Sequence, residues 1–305
     1  MTRSASDAVA PEGAVAPGGA VAPGGAVAPA PLAGGDTRNA APLADVDTVL
    51  LDLDGCLWFG EALAEGAAEL VDALRASGRR VGFLTNTSNS RAVRVAAKLR
   101  RLGIAAETSD VVMPVEVLAE HPRLRDRPRV WFLGPEAVRQ MIGELTPLAE
   151  RPEDAELLLL ARDTAMTYHD LADALHALQH CGAMLALNVD PRVPVEGGRM
   201  LPGTGAIAAA LSYASGIEPE IVGKPAKGFF ETALRRFGGT ADRAVIVGDT
   251  LDSDIAGGAG AGLRTVLVGV PVPSTRRPEP VPDHRAPDLA GVWALFGGER
   301  WAALG

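Results

Sequence analysis

Cysteine is almost missing from this chain: Cys56 and Cys181 are the only two among 305 residues, far apart and without a Cys-x-x-Cys or metal-knuckle spacing. They offer no disulfide framework and no zinc knuckle, and a reducing, cytoplasmic setting is the expectation. Long apolar runs are missing as well. No stretch reaches the roughly eighteen apolar residues that a membrane helix needs. The apolar residues near the start are broken every few positions by Pro and Gly, so neither a signal peptide nor a membrane span is expected. Basic charge is in deficit, with 29 Lys and Arg against 38 Asp and Glu for a formal net charge of -9. Such a surface has no general attraction for a nucleic-acid backbone or an anionic membrane, and neither is expected as a partner. A single phosphate stays within reach, because a few local cations and backbone N–H groups hold it against the overall field.

What the chain does have is apolar material: 47% of it is hydrophobic, enough for one large core and a smaller one. Residues 1–42 stand apart, with three copies of Gly-Ala-Val-Ala-Pro starting at Gly13, Gly19 and Gly25. Pro and Gly at that density frustrate helices and ladders, and nothing large is available to bury, so a flexible tail is expected. From Asp45 on, apolar runs alternate with amphipathic stretches, the pattern of strand-helix units around a parallel sheet. Strands are expected at 49–51 and 81–84, with helices at 65–77 and 91–102. The middle, 114–216, carries its own strands at 157–160 and 184–187 and a helix at 168–180, and reads as an inserted domain. The signature of buried strands resumes at Ile221-Val222 and 244–247. The expected architecture is therefore α/β: a doubly wound parallel-sheet core from 43–113 and 217–305, with an inserted α/β domain between.

Four polar clusters each follow an apolar strand. The first is Leu51-Asp52-Leu53-Asp54-Gly55, two carboxylates one residue apart. Burying like charges together is costly, and a divalent cation with oxygen ligands removes the conflict. Taken alone, Asp-Gly after a strand is also ordinary turn chemistry. The second cluster is Thr85-Asn86-Thr87-Ser88, the third Gly223-Lys224-Pro225, and the fourth Gly248-Asp249-Thr250-Leu251-Asp252-Ser253-Asp254. Each has a plain reading too: helix-cap material for the second and fourth, a solvated cation for the third. Four strand ends in one parallel sheet lie on one side of it, where open α/β folds bind ligands, and together they make one phosphate site.

In this order and spacing the clusters resemble the four motifs of the haloacid-dehalogenase-like superfamily, over about residues 45–269. An insertion between the second and third motifs, together with Pro202-Gly203-Thr204-Gly205, is similar to the subfamily that contains nucleotide, 4-nitrophenyl, phosphoglycolate and pyridoxal phosphate phosphatases. The resemblance implies a magnesium-dependent phosphatase in which the inserted domain caps the site. Asp52 is then the nucleophile and Asp54 the general acid and base, while Thr85, Asn86, Thr87 and Lys224 hold the phosphoryl group. Mg2+ is bound by Asp52, the backbone carbonyl of Asp54 and Asp249, with Asp254 shaping the site from behind. It further implies a small phosphorylated metabolite as substrate and admits a homodimer through the cap. Asn188 to Pro194 resembles the specificity loop, and Val193 stands where pyridoxal phosphate phosphatases carry His, which tilts the expected substrate away from pyridoxal phosphate. Two rival readings remain: phosphoryl transfer to a sugar or alcohol, and a binding protein without catalysis, against which the cost of burying these carboxylates argues. His169, His176 and His180 are expected on a solvated helix face, and Cys56 as buried filler.

Overall fold

The computed structural model describes residues 41–194, 199–272, 274 and 277–299. The repeat segment expected to form a tail lies, up to residue 40, outside the described residues. From there β1 (Thr48–Asp52) leads to a small hairpin, β2 (Trp58–Phe59) and β3 (Ala62–Leu63), then α1 (Ala67–Ala76), β4 (Arg80–Leu84), α2 (Ala92–Arg101), β5 (Val111–Val112) and α3 (Pro114–Leu118). The middle runs through β6 (Val130–Leu133), α4 (Glu136–Leu145), β7 (Leu157–Leu160), α5 (Tyr168–Cys181), β8 (Met184–Ala186), β9 (Arg192–Pro194), β10 (Met200–Pro202), α6 (Thr204–Ser215) and β11 (Glu220–Ile221). Then come α7 (Lys227–Phe237), β12 (Ala244–Thr250), α8 (Ala256–Gly260), β13 (Arg264–Val272), β14 (His284–Ala286) and α9 (Leu289–Leu295).

Two parallel sheets carry the fold. The first has the order β14-β13-β12-β1-β4-β5 and the second β11-β8-β7-β6. Every neighbouring pair in both sheets is parallel. The α/β class follows from the sequence pattern: β1 is buried along its whole length, as a strand covered on both faces must be. In α1 the spacing of Ala67, Leu70, Val71 and Leu74 turns all four into the core. In the second sheet Leu157 and Leu159 of β7 join the large core that includes the first sheet, while Leu158 and Leu160 pack under α5 and α6 with Ala174, Leu178 and Leu211. An unbroken run of four leucines is what strand alternation requires when both faces are dry, and each such side chain contributes about 1.5–3 kcal/mol by its burial.

One expected boundary moves. The apolar pair Ile221-Val222 is expected in the first sheet, but β11 pairs with Leu185 and Ala186 of β8 at the edge of the second. The hydrogen bonds from Val222 N to Ala186 O and from Gly223 N to Leu187 O, both 2.9 Å, continue that pairing. Two apolar residues have no period of their own, and nothing in so short a run tells one sheet from the other. The consequence is functional, because Lys224 enters the site from the edge of the second sheet.

Candidate active site

In the first sheet the chain steps outward from β1 to β4 and β5 on one side, then returns to β12, β13 and β14 on the other. The order reverses at β1, and a crevice opens at the carboxyl ends of strands flanking such a point. Asp52 ends β1, Asp249 lies near the end of β12, and Thr85 follows β4. Asp254 is delivered by a single wide turn of π type, Leu251–Ile255, that follows β12 directly.

Within the crevice Asp52 is 4%, Lys224 2% and Asp254 1% exposed. The Lys224 ammonium donates to Asp52 Oδ1 and, at 2.7 Å, to Asp254 Oδ1. Asp254 Oδ2 accepts from Thr250 N at 3.1 Å. The helix-cap role expected of this cluster is not what Asp254 does, since α8 starts without a side-chain cap. Oxygens of Asp52, Asp249 and Asp254 lie within 4.8 Å of one another, the one such group of His, Cys or acidic residues among the described residues. The histidines of α5 stay exposed, as expected.

Three carboxylates around one ammonium leave a surplus of two negative charges. Burial holds the Asp52 carboxyl well above the ordinary carboxylate range, against the pull of Lys224. Burial and then the charge of Asp254 push Asp249 up to about 6. Lys224 loses solvation by burial, but Asp254 and Asp52 outweigh that loss and raise its pKa. The donor set is all hard oxygen and its surplus equals the charge of one divalent cation, so these residues fit Mg2+. Asp254, expected behind the site, brings its own carboxylate into this group. The Asp54 side chain faces elsewhere: Trp58 Nε1 donates to its Oδ1 at 2.8 Å, and Thr85 Oγ1 and Thr87 Oγ1 donate to Oδ2 at 3.1 and 3.4 Å.

Gly55 shows how tightly the cluster is built. Its φ is +92°, and a Cβ there would lie 2.3 Å from Asp249 Oδ2. Gly55→Ala is expected to push Asp249 aside and to cost about 1–2 kcal/mol of backbone strain besides. Calorimetric titration with Mg2+ should give weaker binding by tenfold or more, and unaltered affinity would show that Asp249 is not held by this contact.

Asn86 behaves differently from the expectation that it grips phosphate. Its carboxamide is fully engaged: Oδ1 accepts from Lys224 N at 2.9 Å, and Nδ2 donates to Lys224 O at 3.1 Å and to Asp190 Oδ1 at 3.0 Å. Asn188 Nδ2 donates to the Asn86 carbonyl at 2.6 Å. Beside this network lies a cavity of about 790 Å³, bounded by Asp52, Asp54 and Lys224 on one side and by Arg162, Asn188 and Val193 on the other. Cys56 is buried under the carboxylates, and burial first, then Asp52, pushes its thiol well above the ordinary range.

Residues 49–145 match the haloacid dehalogenase-like hydrolase model, and residues 221–292 match a second, HAD-hydrolase-like model. Human glycerol-3-phosphate phosphatase is 35% identical over 273 residues, covering 77% of this chain and 85% of that one. The chain belongs to the haloacid dehalogenase-like hydrolases. Among solved members, a 4-nitrophenylphosphatase from Thermotoga maritima superposes with a TM-score of 0.75 at 27% identity, over 84% of this chain and 99% of that one. A glycerol phosphate phosphatase from Mycobacterium tuberculosis in complex with magnesium gives a TM-score of 0.74 at 32% identity, over 83% and 78%. The first model covers β1, β4 and β5 and runs on through β6 and α4, the second covers β12, β13 and β14, and neither reaches Asn188 and Asp190. No described helix of this family member is long and apolar enough to cross a membrane.

Proposed function

We propose that this protein is a magnesium-dependent phosphatase that hydrolyses a small phosphomonoester through an aspartyl-phosphate at Asp52. The observation that carries the reading is the group of three carboxylates around Lys224, Asp52 and Asp254 buried and Asp249 half-buried, whose surplus charge a divalent cation balances. Asp52, Asp249 and Asp254, with the Asp54 backbone carbonyl, would hold Mg2+, which would supply the neutralisation that lets an anionic phosphate approach an anionic carboxylate. One Asp52 oxygen attacks phosphorus and the bond to the leaving oxygen breaks. Asp54 gives that oxygen a proton, then takes one from the water that cleaves the acyl phosphate. Trp58, Thr85 and Thr87 fix the Asp54 carboxyl for both steps, and the Lys224 ammonium stays beside the attacked group. Small polyol phosphates of the glycerol phosphate kind are the substrate class, supported by the two glycerol phosphate phosphatases named above.

The test is phosphate release with Mg2+ from a panel containing glycerol 3-phosphate, sugar phosphates, phosphoglycolate and 4-nitrophenyl phosphate. Added glycerol as acceptor separates hydrolysis from transfer. No release from any ester would overturn the reading. A cytoplasmic location and pairing of two copies through the inserted unit complete the proposal, the second read by sedimentation velocity.

Asp249 sets the pH dependence. Its folded value of about 6 lies above the ordinary 3.8, so the metal-free native state binds an extra proton between roughly pH 4 and 6 and loses stability as pH rises through that window. Mg2+ needs the ionised carboxylate. The rise in Tm on adding Mg2+ is therefore expected to be small at pH 5 and larger at pH 7; equal shifts at both would contradict the assignment.

A further inference from the structure

The Pro202-Gly203-Thr204-Gly205 turn opens α6 without touching a reacting group, yet sterics dictate both of its glycines. A Cβ on Gly203 would lie 2.0 Å from the Asp190 carbonyl oxygen, and one on Gly205 would lie 2.2 Å from that of Val189. The same glycines donate their backbone N–H groups to the loop, Gly203 to Pro191 O and Gly205 to Asp190 O, each at 3.0 Å. The turn is a seat for the loop at 189–191. So seated, the loop directs the Asp190 carboxylate at Asn86 Nδ2, 3.0 Å away. The other hydrogen of that amide goes to Lys224 O, and the amide oxygen accepts from Lys224 N.

A carboxamide fits such a place in two orientations, and only one offers its oxygen to Lys224 N and its N–H to Lys224 O. Burial lifts the Asp190 carboxyl above its ordinary range, and the Asn86 hydrogen bond and Lys224 pull it back; in its ionised form it accepts and does not donate, so it turns the amide's NH2 edge toward itself and excludes the flipped orientation. The bond is charge-assisted, hence stronger than one between neutral groups. We propose that Asp190 is a positioning residue: it orients Asn86, Asn86 clamps the Lys224 main chain, and the ammonium beside Asp52 is thereby tied to the seating of the second sheet's loop. The resemblance places Asp190 within the specificity loop but gives neither this residue nor the glycine turn a task of its own.

The proposal rests on Lys224 serving the phosphoryl group, and its test has one arm that needs turnover and one that does not. In the first, Asp190→Ala, Asn86→Ala and the double variant are compared on 4-nitrophenyl phosphate and glycerol 3-phosphate. Each single change should lower kcat about tenfold or more, by the same factor on both esters. The double variant should fall no lower than Asn86→Ala alone, because one residue acts through the other. Asp190→Asn, whose amide donates as well as accepts and so admits the flipped orientation, should recover only part of kcat, and Gly205→Ala should imitate Asp190→Ala. Losses that multiply, or that sit in KM and differ between the esters, would overturn the proposal and make Asp190 a substrate contact. In the second arm the Asn86 side-chain amide signals, assigned by their loss in Asn86→Ala, are followed by 15N NMR. Their hydrogen exchange should quicken at least tenfold in Asp190→Ala; unchanged exchange overturns the proposal whether or not the enzyme turns over.

Discussion

Asp52→Asn is expected to end turnover, lowering kcat by at least about 10⁴-fold, while the protein stays as stable as the parent or becomes more so. A carboxamide matches the carboxylate in shape but is no nucleophile, so no acyl phosphate forms. The stability half of the expectation comes from the charges. Lys224 keeps Asp254 as a partner at 2.7 Å, so the substitution leaves no buried ammonium alone. It also removes one of three carboxylates held within 4.8 Å, the one that burial already keeps well above its ordinary pKa. Phosphate release and a melting curve on the same sample decide the matter. A kcat within tenfold of the parent would move the nucleophile elsewhere, and a large drop in Tm would show that Asp52 is held for structure.

The sequence made some of this site legible because the first sheet is parallel. An apolar run followed by acidic residues at 52 and again at 249 places both groups at strand ends on one side, and β1 and β12 are neighbours. Unbroken apolar runs supplied the strands at 157–160 and, one residue too long, 184–187, and helical spacing supplied the buried face of α1. Other parts were not legible, for physical reasons. The pairing of β11 has no periodic trace in two residues. The partners of Asn86 lie 104 and 138 positions away, and an amide that donates and accepts equally well carries no hint of which groups it will meet. Trp58 reads as packing because its rings are apolar, yet its single N–H decides how Asp54 is held. Asp254 resembled helix-cap material, and only the turn at 251–255 shows it facing Lys224 instead.

Lys224→Met should separate stability from catalysis. Methionine fills much of the lysine's volume but leaves Asp52 and Asp254 buried without their cation, and breaking a buried pair by removing one partner costs roughly 3–5 kcal/mol. Without Lys224 to pull it down, the Asp52 carboxyl binds its proton more tightly in the folded state than in the unfolded one. The variant's stability therefore declines as pH rises, and its deficit against the parent should be smaller at pH 5 than at pH 8. Mg2+ replaces charge in the same pocket, so it should raise the Tm of the variant more than that of the parent. Turnover should not follow. Mg2+ would be held by the carboxylates and would not replace the ammonium beside Asp52, so the variant should stay about 10²–10³-fold slow at saturating Mg2+. A Tm equal to the parent's in the absence of metal would mean that the triad's charge is balanced by something other than Lys224, and recovery of kcat by Mg2+ would reduce the lysine to a structural counter-ion.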